Sequence, residues 1–332
     1  MVNIFFQALI LSGVLFWVGT KVWKSKFKRW GGVVLVLVFV FLVLVHRELE
    51  LTRQLQGVLI GSLFILGFGW WDDWRNLSWR KQLLGQIFLV IVLLFFGFQI
   101  DYLNGIYDFG LRLDKIFLGG VSVLSAVFIF FWVIGSINAM NWLDGVDSSL
   151  GVVALFGGLS IGFVSLLPEV NQPAIAILVS IFLGTVVGFL LFNLPPAKVE
   201  AGTVGSYFVG FVLASLAIMA GSKIVTMMIV LILPLMDFGL VIFDRWRRGV
   251  SIFQKDHSHL HYRLRSLGWS DLKIFLIYGI FLGIVLMLYA WLPTREARFY
   301  LLLGEMVVVG GGIVIVSRKS IKSVKSKVKN KF

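Results

Sequence analysis

Long apolar stretches recur along this chain, and they constrain its fold more than any other feature of the sequence. Apolar residues make up 59% of the 332 residues and charged residues only 14%, so the mean hydropathy is +0.95. The stretches run to about twenty residues, the length of helix that crosses roughly 30 Å of hydrocarbon. The sequence therefore predicts an all-α, polytopic integral membrane protein.

The apolar stretches give eleven candidate transmembrane helices. They cover residues 3–20, 32–46, 56–71, 83–99, 118–136, 150–167, 174–192, 204–220, 224–243, 273–292 and 299–317. The longest connection, from Asp244 to about Leu272, is too short for a soluble domain. We therefore expect a single transmembrane domain over 1–317 and a polybasic tail over 318–332.

The basic residues predict how the spans are oriented. When the connections are sorted into alternating sides, 23 of the 30 lysines and arginines fall on one side, which the positive-inside rule makes cytoplasmic. The N-terminus is then outside and the C-terminus inside, in the inner membrane. No small-residue cleavage pattern follows the first span, so we expect an anchor and not a cleaved signal peptide. The net charge of +13 then needs no nucleic-acid partner, and the lysine tail fits a surface of anionic lipid.

Polar clusters follow four of the odd-numbered spans. They are Asp72-Asp73, residues 138–147, residues 193–206 and residues 245–265. Within the second cluster, polar residues recur every three positions and would fall near one face of a helix end, namely Asn138, Asn141, Asp144 and Asp147. Because all four clusters lie on the predicted cytoplasmic side, we expect them to converge on one site for a polar ligand.

Each cluster also has a purely structural interpretation. Asp72 and Asp73 could cap a helix, or they could bind Mg²⁺ or act as a base. The glycine turn at 202–206 could be a flexible turn or an anion-binding nest. The segment at 245–265 could be a solvated basic loop or a zinc site, but its arginines and histidines fit a diphosphate better. Asp237, inside span nine, is a further functional candidate, and the lack of cysteine excludes thiol chemistry.

Taken together, these motifs resemble the polyprenyl-phosphate N-acetylhexosamine-1-phosphate transferase superfamily (glycosyltransferase family 4), and its bacterial undecaprenyl-phosphate GlcNAc-1-phosphate transferase branch most of all. The resemblance covers nearly the whole chain, and the box from Ile137 to Asp147 is its most specific part. The other motifs, in family order, are Asp72-Asp73 with Arg80 or Lys81 and Gln86, Phe192-Asn193, Pro196 to Val199, the glycine turn with Ser206, Asp237, Arg248-Gly249 and the histidine segment.

The resemblance implies an activity. An N-acetylhexosamine 1-phosphate would move from a UDP-amino sugar such as UDP-GlcNAc to polyprenyl (undecaprenyl) phosphate, with release of UMP, at the start of cell-envelope polysaccharide synthesis. Mg²⁺ or Mn²⁺ is the implied cofactor. The implied partners are the lipid phosphate and the nucleotide sugar, and the apolar surface also permits a homodimer.

The resemblance further implies roles for individual residues. The implied catalytic residues are Asp72, Asp73, Asp144 and Asp147. The implied substrate-binding residues are Asn138, Asn141, Arg80, Lys81, Lys198, Gly202, Gly205, Ser206, His259, His261 and Arg263. The implied metal ligands are Asn193, Thr203 and Glu200.

The chain departs from the family pattern in the glycine turn. Thr203 stands where the family has its principal magnesium-binding aspartate, and Glu200, three residues earlier, is the candidate to replace it. The last histidine of the family's histidine segment is Tyr262 here. A noncatalytic member that binds lipid phosphate or nucleotide sugar as a scaffold or regulator is therefore the alternative. A transporter is disfavoured, because neither repeated halves nor polar residues through the midplane are found.

Overall fold

The fold is helical over most of the residues that the computed structural model describes, which are 1–22, 28–103, 111–114, 116–118, 121–168, 170–221, 224–251, 258–292 and 294–329. The helices within them are α1 (Val2–Val22), α2 (Gly31–Val45), α3 (Arg53–Arg75), α4 (Trp79–Phe95), α5 (Val123–Leu143), α6 (Ser149–Ser165), α7 (Pro173–Asn193), α8 (Gly202–Met219), α9 (Ile224–Arg247), α10 (Leu260–Ser266), α11 (Asp271–Trp291) and α12 (Arg295–Lys329). Two small antiparallel hairpins precede α5, formed by β1 (Tyr102–Leu103) with β2 (Leu111–Arg112) and by β3 (Phe117–Leu118) with β4 (Val121–Ser122).

Each predicted span coincides with one of these helices, and only the short α10 has no counterpart among the predictions. Within the described residues, seven helices are long and apolar enough to cross a membrane, namely α1, α3, α5, α7, α8, α11 and Glu296–Ser320 of α12. Helices α2 and α6 are apolar but shorter. The all-α polytopic fold is thereby confirmed, whereas the count of eleven crossings stays a prediction.

Several helices extend beyond the predicted spans and take in polar residues that were expected in loops. Helix α3 continues to Arg75 and ends at Asn76, whose φ of 48° is left-handed. Helix α5 begins only at Val123, because Ser122 caps it by accepting a hydrogen bond from the Ser125 backbone N–H. The polar clusters after spans three and five therefore lie largely on the last helical turns, where a helix fixes their directions.

Helix α8 lies at the centre of the bundle and is buried along nearly its whole length. Two close approaches explain how its neighbours reach it. A Cβ added to Gly32 of α2 would lie 2.1 Å from the Gly205 nitrogen, and one added to Gly210 would lie 2.7 Å from the Ile137 Cα of α5. Small residues allow such backbone contact between membrane helices. Gly205 therefore contributes to helix packing, and the prediction that it binds substrate stays a prediction.

The chain before α2 pairs with the chain before α8. The Glu200 N–H donates to the Lys28 carbonyl at 2.9 Å, and the Gly31 N–H donates back to the Glu200 carbonyl at 3.0 Å. The Gly32 N–H continues the pairing to the Ala201 carbonyl at 3.0 Å. This pairing holds Arg29 beside the start of α8.

The last helix crosses the predicted boundary between domain and tail. Helix α12 runs without a break from Arg295 to Lys329, so no helix end marks residue 317. The side chains of the tail lysines beyond Ser320 lie outside the described part of the structure.

Candidate active site

A polar cavity of about 520 Å³ opens among α3, α4, α5, α8 and α9. Eight of the predicted site residues line it, namely Asp72, Asp73, Asn138, Asn141, Asp144, Gly202, Thr203 and His259. Seven of them belong to the first three predicted clusters. The eighth, His259, lies just before α10 and belongs to the fourth. The convergence expected from the sequence therefore does occur for these residues.

Asp72 occupies the last turn of α3 and is only 5% exposed. Its Oδ1 accepts hydrogen bonds from the Leu77 N–H at 2.9 Å and from Gln82 Nε2 at 2.9 Å. Its Oδ2 accepts from Gln82 Nε2 at 3.1 Å and from the Thr203 hydroxyl at 2.8 Å. Gln82 was not among the predicted site residues, since Arg80 or Lys81 and Gln86 were matched to the family motif.

Arg80 and Lys81, the basic residues predicted beside these aspartates, do not line the cavity. The Arg80 Cζ lies 5.4 Å from the ring centroid of Trp79, and the Lys81 Nζ lies 5.7 Å from that of Trp71. Successive residues on a helix point about 100° apart, so only residue 82 of the three reaches Asp72. The structure therefore does not bring Arg80 and Lys81 into the cavity, and their contact with substrate stays a prediction.

The first turn of α8 binds the protein's own carboxylates. The Gly202 N–H donates to Asp144 Oδ2 at 2.9 Å, and the Thr203 N–H donates to both oxygens of Asp73 at 3.0 Å. The Val204 N–H adds a longer contact of 3.4 Å to Asp73 Oδ2. A helix N-terminus attracts negative charge, and here Asp73 and Asp144 supply it. These amides, which were predicted to cradle phosphate, are therefore already occupied.

Gly202 is required at this contact for two reasons. Its φ is +65°, and a Cβ at this position would lie 2.7 Å from Asp73 Oδ2. We expect Gly202→Ala to destabilise the fold by about 1–2 kcal/mol through the left-handed backbone and to displace Asp73. Thermal unfolding should show a lower Tm. Gly67→Ala is the control, since nothing lies within 4 Å of a Cβ there; equal effects of the two changes would contradict the account.

Asp144, which follows the last residue of α5, carries a perturbed carboxyl group. Burial raises its pKa well above the ordinary value, and the nearby negative charge of Glu200 raises it further. The Gly202 N–H and Arg29 oppose this shift. A cation bound beside Asp144 would also favour the carboxylate, so this position fits a metal-binding role.

The two asparagines of the box are held by neighbouring side chains. Asn138 donates from Nδ2 to Gln86 Oε1 at 2.8 Å, and Gln86 in turn donates to the Tyr207 hydroxyl at 3.0 Å. Asn141 Oδ1 accepts from the Ser206 hydroxyl at 2.8 Å. Ser206 itself does not line the cavity, so it orients Asn141 and is not placed to touch a ligand.

Three further predicted site residues lie outside the cavity lining, namely Asp147, Asn193 and Lys198. Asp147 Oδ2 accepts from the Ala197 N–H at 2.9 Å. Asn193 accepts from the Ser148 N–H at 2.8 Å and donates to the Val199 carbonyl at 2.8 Å, so both ends of its amide are engaged. Lys198 is exposed. Asn193 was predicted to bind metal, Asp147 to be catalytic and Lys198 to bind substrate, but none of the three lines the cavity.

Glu200 and Thr203 also differ from the predicted metal ligands. The Glu200 carboxylate lies 3.6 Å from the Arg29 Nε and does not line the cavity. Thr203 does line it, but its hydroxyl hydrogen is donated to Asp72. Glu200 therefore acts on the site through its charge, and Thr203 through a hydrogen bond.

His259 is fixed by Asp237, the buried acid of α9. The His259 Nδ1 lies 3.0 Å from Asp237 Oδ2, and the Leu260 N–H donates to Asp237 Oδ1 at 2.9 Å. Since Nδ1 is engaged, Nε2 is the ring nitrogen left for a ligand. The ring of His259 also packs on that of Trp142, with 4.2 Å between centroids. Asp237 is thus a positioning residue.

His261 and Arg263 lie on α10 and do not line the cavity. His261 is buried, and burial lowers its pKa to about 4. It is therefore neutral at physiological pH and cannot pair with a diphosphate as a cation. The prediction that these two residues grip substrate is not supported by their position, whereas His259 remains in place to do so.

Two arginines that were not chosen from the sequence line the cavity. Arg29 precedes α2, and Arg245 lies on the last turns of α9, where it is 2% exposed with its Cζ 5.9 Å from the Trp142 ring centroid. Arg29 belongs to a basic segment that the charge count used for membrane orientation, and Arg245 to the segment 245–265 whose arginines and histidines fit a diphosphate, but neither was named as a site residue. Arg245 differs from the other arginines at the end of α9 by its burial, and burial cannot be seen in the sequence.

The donor set suits a cation that is shared with substrate. Within the described ranges, no group of three or more His, Cys, Asp or Glu side chains is arranged to hold a metal ion. Mg²⁺, however, usually takes one or two protein carboxylates and completes its shell with water and substrate phosphate. Asp73 and Asp144 accept hydrogen bonds from the consecutive amides of Thr203 and Gly202, which puts them side by side. These two residues fit such a role.

Comparison with known proteins shows the family of this chain. Residues 55–221 match the model of glycosyl transferase family 4. The chain is 27% identical over 268 residues to a Bacillus subtilis (strain 168) protein named probable undecaprenyl-phosphate N-acetylglucosaminyl 1-phosphate transferase, covering 78% of this chain and 72% of that one.

Two further relatives have related names. A Mycobacterium tuberculosis (strain H37Rv) decaprenyl-phosphate N-acetylglucosaminephosphotransferase is 28% identical, with 77% of this chain and 70% of that one covered. A Halalkalibacterium halodurans phospho-N-acetylmuramoyl-pentapeptide-transferase is 30% identical, with 76% and 78% covered. The family match, over residues 55–221, includes Asp72, Asp73, Asp144 and the first turn of α8, and the chain therefore belongs to glycosyl transferase family 4.

Proposed function

We propose that this protein transfers an N-acetylhexosamine 1-phosphate from a UDP-sugar to polyprenyl phosphate and releases UMP. The observation that carries the proposal is the cavity in which α3, α5 and α8 bring Asp72, Asp73 and Asp144 together, with Arg29, Arg245 and His259 also in its wall. The names of the relatives, which act on undecaprenyl or decaprenyl phosphate, support the same reaction class. Membership in the family supports it further.

In the proposed reaction, an oxygen of the lipid phosphate attacks the β-phosphorus of the UDP-sugar. The bond from that phosphorus to the oxygen bridging the two phosphates breaks, and UMP leaves. Phosphoryl transfer depends mostly on positioning and on neutralising charge. Mg²⁺ or Mn²⁺, bound by Asp73 and Asp144, would neutralise charge on the diphosphate.

The remaining cavity residues have proposed roles that follow from their contacts. Arg245 and Arg29 attract the phosphates of donor and acceptor. His259 donates Nδ1–H to Asp237 and, when its ring carries both protons, can donate Nε2–H to a phosphate oxygen. Asp72 orients the attacking phosphate, and Asn138 and Asn141 hold the nucleotide sugar. We further propose that the cavity faces the cytoplasm, since the positive-inside count puts the ends of α3, α5 and α9 there.

The experiment that tests this function uses the purified full-length protein with undecaprenyl phosphate, Mg²⁺ and a panel of UDP-sugars that includes UDP-GlcNAc. We expect UMP release that requires both the lipid phosphate and the cation. Release that persists without lipid phosphate would point to hydrolysis. Binding of a UDP-sugar without any release across the panel would support the scaffold or regulatory role instead.

A further inference from the structure

The side chain of Gln82 contacts both oxygens of Asp72. It lies on the first turn of α4 and lines the cavity. Its single Nε2 group lies 2.9 Å from Asp72 Oδ1 and 3.1 Å from Oδ2. An amide nitrogen shared between both oxygens fixes the rotation of the carboxylate as well as its position.

Thr203 completes the arrangement from the opposite helix. Its hydroxyl donates to Asp72 Oδ2 at 2.8 Å, and the Leu77 N–H donates to Oδ1 at 2.9 Å. All three donors are neutral, although Asp72 is only 5% exposed. A buried carboxylate needs partners to offset its lost hydration, and here an amide, a hydroxyl and a backbone N–H provide them.

Of residues 80–82, Gln82 is the one whose side chain bonds to Asp72. Arg80 and Lys81 pack over Trp79 and Trp71, on a different side of α4. The side chains at positions 82 and 203, one from α4 and one from α8, therefore both donate hydrogen bonds to Asp72.

We propose that Gln82 and Thr203 form a matched neutral pair that positions Asp72, so that the side chains at 82 and 203 are coupled to each other through this carboxylate. An acid at position 203 would lie against Asp72 and repel it, unless a base at position 82 supplied the missing positive charge. Gln82 is thus a positioning residue for the reaction proposed above, and the kinetic part of this inference rests on that proposed function. The stability part does not.

The test is a double-mutant cycle read by thermal unfolding of the full-length protein in detergent. Thr203→Asp is expected to lower the Tm by about 5 °C, and Gln82→Lys by a smaller amount. The double variant is expected to melt at least about 4 °C above the value given by adding the two shifts. Shifts that add within about 1 °C would overturn the proposal. If Thr203→Asp alone does not fold but the double variant does, this rescue of folding also supports the coupling.

The control adds the same charge at a place that does not face Asp72. Leu84 lies two residues along α4 from Gln82 and is 66% exposed, so Leu84→Lys should not rescue Thr203→Asp. Rescue by Leu84→Lys would show a general charge effect and would overturn the specific coupling.

A second pair of variants covers the case in which none of the charged variants folds. Thr203→Val and Gln82→Met each remove one donor from Asp72 without adding charge. Each should lower kcat about tenfold while the KM for the UDP-sugar stays within about twofold, and Thr203→Ser should restore the rate. Unchanged kcat in both variants overturns the positioning role. If the wild-type protein shows no UMP release, the proposed function fails. The Tm of Thr203→Val and of Gln82→Met then tests the pairing by itself. A lower Tm in these variants supports the pairing, and an unchanged Tm overturns it.

Discussion

Asp144→Asn is expected to lower kcat by about a thousandfold, the loss typical of removing a principal electrostatic group from an active site. Asparagine keeps the shape and can still accept the Gly202 N–H, but it carries no charge for a cation. UMP release from a UDP-sugar, measured over a range of Mg²⁺ concentrations, checks this expectation. Activity within about tenfold of wild type would remove Asp144 from the proposed metal site.

Glu200→Gln is the matched control, because Glu200 lies close enough to raise the pKa of Asp144 but does not line the cavity. The Asp144 carboxylate is lost as pH falls through its raised pKa, so activity should fall on the acidic side. Removing the Glu200 charge lowers that pKa and should move the acidic limb of kcat to lower pH. Loss of all Mg²⁺-dependent turnover in this variant would instead make Glu200 a ligand.

Asp237→Asn has the second-largest expected effect, a loss of about 100-fold in kcat, in line with the removal of an orienting carboxylate behind a functional histidine. The Leu260 N–H can still find an acceptor oxygen at residue 237. The His259 Nδ1, however, loses a charged acceptor that fixes its tautomer. Turnover of a UDP-sugar over a range of pH checks the effect, since a change of tautomer alters the pH profile.

Asp244→Asn on the same helix is the control for Asp237→Asn. Asp244 pairs at the surface with Arg248 at 2.8 Å, and exposed ion pairs contribute little to stability. We expect its kcat to stay within about twofold of wild type. Equal losses in the two variants would mean that α9 as a whole, and not the pair of Asp237 and His259, carries the effect.

The sequence predicted the helices well because lipid imposes a simple rule on length and polarity. The runs that became α1, α7 and α11 are mostly apolar, so the sequence located their centres closely. Their ends were less certain, because an end depends on a local cap such as Ser122 or Asn76. Because α5 continues to Leu143 and α3 to Arg75, Asn138 and Asp72 lie on helices and not in loops.

The candidate site was predicted in outline but not in its contacts. The carboxylates of Asp72, Asp73 and Asp144 do converge, since all three follow long apolar runs that end at one side. Arg80 and Lys81, the basic residues predicted beside Asp72, point away from the direction of Gln82 because each step along a helix turns the side chain by about 100°. The glycine turn was assigned to phosphate because a sequence cannot show that its amides already bind Asp73 and Asp144.

In the proposed reaction the β-phosphorus of the donor is the atom attacked. Following that phosphorus from donor to product tests the reaction. UDP-GlcNAc, or whichever UDP-sugar of the panel is turned over, would be labelled with ³²P at the β-phosphate and incubated with protein, undecaprenyl phosphate and Mg²⁺. We expect the label to enter the lipid fraction with an equal amount of UMP released. Asp144→Asn should abolish both the lipid label and the UMP release. Label that stays in the aqueous phase as UDP, with sugar alone on the lipid, would contradict it.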